Sequence, residues 1–97
     1  MVHLVRVLIA VVATVLASAV TAAAPAAADE SGYLQLLQPK YVFLSKQQLL
    51  GEGHKVCDGI HRGMISPDAA NMVQKDLAVS MTVAVDIVGT AGVQLGC

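Results

Sequence analysis

From Val7 to Ala28 the chain carries no charged residue, and from Asp29 onward apolar positions recur every three or four residues between polar ones. The first stretch is Val7 to Val20 (VLIAVVATVLASAV), followed by Thr21 to Ala28 (TAAAPAAA), where side chains are small and Pro25 breaks any helix. Beyond it, Tyr33, Leu34, Leu36 and Leu37 make a short helical pattern with Ser31 as a candidate N-cap, ended by Pro39. Tyr41 to Leu44 (YVFL) has strand-like composition but no second strand to pair with, so a buried connector or a helical entry is expected. Ser45 caps a principal helix from Lys46 to about Arg62, with Leu49, Gly53, Val56, Cys57, Ile60 and Met64 on one face. His61 and Arg62 suit its negative end, and Gly63 suits the left-handed residue after it.

Ser66-Pro67-Asp68 reads as the next helix start: a capping Ser, a Pro in the first turn, then an acid. Its apolar stripe is Ala69, Met72, Val73 and Leu77. A last helix begins near Ser80 or Thr82 and runs toward Cys97, with Val83, Ala84, Ile87, Val88, Ala91 and Leu95 at helical spacing. Its β-branched residues and Gly89, Gly92 and Gly96 lower its own propensity, so packing must hold it. The fold expected is all-α, a small three- to four-helix bundle in residues 29–97.

Composition changes how the first stretch is read. Arg6, the free amino group and His3 give it a weakly positive start, and the small residues before Asp29 suit a processing site. Residues 1–28 therefore read as a signal peptide cleaved after Ala28, the protein being secreted or held in the extracytoplasmic cell envelope. The competing reading is a retained anchor, which would be the only route to the membrane. Ala, Thr and Pro in its last third gain little from hydrocarbon, so cleavage is preferred.

Past residue 28, seven acidic residues face five basic ones, Arg6 being the sixth, for a formal charge of −2. A clustered cationic face is missing from that balance, and nucleic acid is not an expected partner. With no Trp, one Phe (Phe43) and two Tyr (Tyr33, Tyr41), the interior is thin and calls for a staple. Export supplies an oxidising compartment, and Cys57 and Cys97 allow a single intramolecular pairing. Closing a loop of about 40 residues would add roughly 4 kcal/mol.

The stretch Gly53-His54-Lys55-Val56-Cys57-Asp58-Gly59-Ile60-His61-Arg62-Gly63 resembles the central Gly-x-x-Val-Cys…Gly segment of the domain of unknown function 732 family. Those are small exported actinobacterial proteins, above all mycobacterial. Tyr33-Leu34 and the final Cys97 resemble the same pattern, whereas Leu95-Gly96 stand where the family tends to have an aromatic. The resemblance implies a disulfide-linked helical domain and carries no catalytic residue.

Chemistry is sparse. His54, Cys57 and His61 share a helical face, which makes His54 and His61 candidates for a metal or haem site. Against this, an oxidised Cys57 is a poor ligand, and the two histidines lie two turns apart. No metal or other cofactor is therefore expected. Three of the mature-chain serines look like helix caps, and no nucleophile elbow, zinc-protease motif or phosphate loop occurs. Asp58 and His61 read as a solvated helix pair, and an enzyme is not expected. Gly59 with Gly63 suits a helix end, and Gly92 with Gly96 suits close packing within the chain. What remains is a binding or interaction module for an envelope protein or an apolar ligand, with Met64, Met72, Met81, Leu36 and Leu44 as adaptable surface. A small acid-stress chaperone that loosens at low pH is the other alternative.

Overall fold

A computed structural model describes residues 29–97; the signal peptide expected at residues 1–28, with its cleavage, lies outside the described residues. Four helices are present, α1 (Glu30–Leu37), α2 (Lys46–His61), α3 (Ser66–Leu77) and α4 (Met81–Gln94), with no strand among the described residues. The molecule is the all-α bundle that the periodicity predicts, closed by a Cys57–Cys97 disulfide with Cα atoms 5.1 Å apart.

Each boundary has a local cause. The carboxylate of Asp29, not Ser31, caps α1, accepting from the Gly32 N–H at 2.9 Å. Asp29 sits at the start of the first turn, where its oxygen reaches the free N–H groups, while Ser31 is already helical. Ser45 and Gln48 form a reciprocal capping box on α2, at 3.0 and 2.8 Å. That helix ends as expected on Gly63, at φ 96°, with Met64 N–H bonded to Gly59 C=O and Gly63 N–H to Ile60 C=O.

The start of α3 corrects the reading of Ser66. Its N-cap is Ile65, with no side-chain capping bond, and Ser66 and Pro67 lie inside the first turn. Proline is tolerated there because the first-turn N–H groups have no helical partner anyway. Ser80 caps α4, accepting from Val83 N–H at 3.3 Å. Gly96, at φ 79°, then turns Cys97 back toward Cys57.

The Tyr41–Leu44 connector is not buried throughout. Leu44 N–H bonds to Tyr41 C=O, making a turn whose tip residues Val42 and Phe43 point outward, 83% and 65% exposed. Leu44, expected at the surface, is instead buried and anchors the turn.

Both α2 and α4 touch all three other helices, and α4 packs most extensively against α3. Helix α4 contributes Ala84, Ile87, Val88 and Ala91 to the core, against Tyr33 and Leu37 of α1, Leu49 and Val56 of α2, and Ala69 and Val73 of α3. Small residues let the helices approach closely where bulky aromatics are few. Gly53 shows this best: a Cβ there would lie 2.8 Å from the Tyr33 ring and from Leu95. The Tyr33 hydroxyl is held by the Leu49 carbonyl at 2.6 Å, so that ring has nowhere to go. The segment Gly53-x-x-Val56-Cys57 is thus a packing device, with Gly53 receiving a ring, Val56 filling the core and Cys57 forming the staple.

Candidate functional site

The histidines do not converge. His54 Nε2 pairs with Glu30 Oε1 at 2.8 Å, tying α2 to α1, and His61 is exposed at the end of α2. Cys57 is consumed by the disulfide. Among the described residues no three His, Cys, Asp or Glu side chains gather as a metal ion would require. Ser45 and Ser80 are occupied as helix caps, while Ser31 accepts only a long 3.5 Å bond from Gln35.

An apolar cleft of about 520 Å³ lies between α3 and α4. The chain turns through 117° between these helices, so they open as a V rather than packing side by side along their length. Ala78 makes the hinge, at φ 53°, with Val79 N–H reaching back to the Gln74 carbonyl at 3.3 Å. One wall is Ser66, Pro67, Ala70 and Asn71 of α3. Facing it are Met81, Val85, Val88, Gly89 and Gly92 of α4. No wall residue is charged.

The outer face of α4 continues past the cleft. A second hollow of about 410 Å³ on this side is lined by Val85, Gly89 and Val93 together with the polar Asp86, Thr90 and Gln94, and reaches Leu36 of α1. Val85 is 55% exposed and Val93 80% exposed, with Leu36 and Met81 half-exposed beside them. Four of the seven large apolar side chains left exposed in the described residues therefore flank one helix. Isolated exposed apolar residues are ordinary, but a contiguous group marks a contact surface.

Asp86, the single charge on α4, is already satisfied. Its Oδ2 accepts from the Tyr41 hydroxyl at 2.5 Å and from Lys40 Nζ at 3.1 Å, and its Oδ1 from Thr90 at 3.4 Å. The Tyr41 hydrogen bond leads in holding the Asp86 carboxyl below its ordinary range, and the same bond pushes Tyr41 up to about 12. The α1–α2 turn is thereby fastened to α4, and the helix presents no free charge.

The sequence reading placed Gly92 and Gly96 in close intramolecular packing, and the structure corrects this. Among the described residues, nothing beyond the helix's own nearby backbone lies within 4 Å of where a Cβ would stand at Gly89 or Gly92, and Gly96 serves the terminal turn. Met81 lies in the cleft, while Met64 and Met72 line a separate hollow beside Lys55 and Arg62. Val85 and Val93 carry the surface but fall outside the buried stripe, so a search for core periodicity passes over them. The available signal was that Met81, Val85 and Val93 carry apolar side chains on the side of α4 away from Ala84, Ile87 and Ala91, so the helix is apolar on more than its core face.

One buried group lies apart from the cleft. Glu52 is 6% exposed on α2, and its Oε1 has no hydrogen-bond partner. Burial first, and the nearby Asp76 carboxylate second, push the Glu52 carboxyl up to about 7. Lys55 binds Asp76 across α2 and α3 at 2.6 Å and holds the Asp76 carboxyl below its ordinary range.

No protein-family model, curated protein or solved structure matches the chain.

Proposed function

We propose that the protein is an exported, non-enzymatic binding module, similar in sequence to the domain of unknown function 732 family, whose α3–α4 cleft receives an uncharged apolar partner. The observation that carries this reading is the α3–α4 cleft itself, whose walls hold no charged residue and include half-exposed Val85 and Met81. A cleft without a titratable wall offers shape and apolar surface, the two things a binding site for apolar matter requires. Residence outside the cytoplasm is supported by the charge-free stretch before Asp29 and by the Cys57–Cys97 pair at bonding distance.

Titration with an uncharged environment-sensitive dye, followed by amide NMR, tests the site. The expected shifts cluster at Ala70, Val85, Gly89 and Gly92, and Val85→Asp removes them. Shifts scattered over the surface, or unchanged dye affinity in Val85→Asp, would defeat the reading.

A further inference from the structure

We infer that the turn between α1 and α2 is a membrane-surface contact, with Val42 and Phe43 entering the headgroup layer of an anionic phospholipid bilayer. The contact uses neither the cleft nor residues 1–28, and it stands independently of both.

The chain has one Phe and no Trp, yet Phe43 is left 65% exposed and its neighbour Val42 83% exposed. Both would have thickened a thin core. They are held out instead: Leu44 is buried behind them, and its N–H closes the turn on the Tyr41 carbonyl at 3.0 Å. The Tyr41 hydroxyl is fixed on Asp86, and the Phe43 ring meets the Tyr41 ring edge-on, with centroids 6.2 Å apart. The tip is therefore ordered before it docks, and little freedom remains to be lost on contact.

Shape and charge select the partner. A stable protein interface covers roughly 800 Å² on each side, more than two side chains offer. The tip also projects, so a protein would need a pocket matched to it, whereas a fluid bilayer surface closes around a projection of any outline. Irregular backbone is not tolerated in hydrocarbon, so the turn stops among the headgroups with its amides solvated. Tyr41 behind it is of the aromatic type enriched at that level. Lys40 and Lys46 flank the tip, both exposed, and no acidic residue occurs between Glu30 and Glu52. Lys40 is shared with Asp86 at 3.1 Å, and Glu30, which lines a hollow with Lys46, is held by His54 at 2.8 Å. Among the described residues Lys46 has no ion-pair partner, and it stands ready for a lipid phosphate.

Phe43→Trp gives the chain its only Trp, at the tip, where emission reports the contact directly. The protein is taken after export with its disulfide intact, and mixed with vesicles of phosphatidylglycerol and phosphatidylcholine in equal parts. The emission of Phe43→Trp is expected to shift to the blue. Co-sedimentation of the parent with the same vesicles is expected to weaken about tenfold in Phe43→Ser, with helicity retained, and about fivefold in Lys46→Gln. Val85→Asp, in the cleft wall, is expected to bind vesicles as the parent does. Unchanged emission on vesicles, or vesicle binding indifferent to Phe43→Ser, overturns the inference. So does loss of vesicle binding in Val85→Asp alone, which would move the contact to α4. A blue shift with lipid-free envelope proteins and none with vesicles would overturn it too, assigning the tip to a protein pocket.

Discussion

At Gly53 the missing side chain is what lets Tyr33 lie flat against α2. Replacement by Ala improves helix propensity by about 1 kcal/mol, yet the new Cβ would stand 2.8 Å from a ring that the Leu49 carbonyl holds in place. Overlap with a pinned ring outweighs propensity, and Gly53→Ala is expected to destabilise by about 2 kcal/mol in urea unfolding. Glu52 makes the opposite kind of case. Its carboxyl titrates at about 7 in the folded chain, above its ordinary 4.5, so the fold favours the protonated form. The associated stability is complete below the ordinary carboxyl range and is lost as pH rises through about 7. Glu52→Gln should match the parent at about pH 4 and exceed it by on the order of 2 kcal/mol at about pH 8, measured as a pair of denaturation curves. Equal stability at both pH values would show that Glu52 is solvated. Nothing in the helical pattern announced this residue: it falls beside the buried stripe, and only the tertiary approach of α3 covers it.

At the level of elements, the hinge between α3 and α4 holds the cleft open through a single left-handed alanine. Ala78 at φ 53° bears a Cβ cost that glycine avoids, and Ala78→Gly is expected to stabilise by about 1 kcal/mol in thermal unfolding without altering the cleft. A loss of stability there would mean that chain entropy, not left-handed strain, dominates at the hinge. The element pattern was legible because apolar spacing and end signals agree: Ser45, Gly63 and Ser80 stand where their chemistry places them. Ser66 was misread because Ser-Pro-Asp fits two registers that differ by one residue, and the bundle selects Ile65 as the cap. Ala78 gave no signal, since left-handed turns are signalled by Gly or Asn and alanine is a good helix former. The cleft was less legible than the helices. It depends on the 117° turn between α3 and α4, which arises from packing, whereas its charge-free wall was visible in the sequence of α4.

For the whole molecule, the disulfide is the largest single contribution the architecture allows. It spans 40 residues of chain, and its removal by Cys57→Ala with Cys97→Ala should cost roughly 4 kcal/mol, read from denaturant unfolding of the purified protein. Acid acts on the fold in two directions. Asp76 and Asp86 have carboxyls held low, so their contributions are present above the ordinary carboxylate range and fade as pH falls below it. Glu52 opposes them by gaining its proton earlier. The near-UV signal of Tyr33 and Tyr41 is therefore expected to persist at about pH 5 and to change only in stronger acid. Loss of that signal already at pH 5 would favour the acid-loosened chaperone over a module of fixed shape.

The same covalent link encloses α3, the hinge and α4 in a ring, leaving α1 outside it. A protease that cuts once inside the ring, for instance at the exposed Arg62 before Gly63, releases no fragment. Both ends stay tethered through sulfur, and the nicked molecule keeps the two walls of its cleft within reach of each other. One cleavage would then be silent until a reductant arrives.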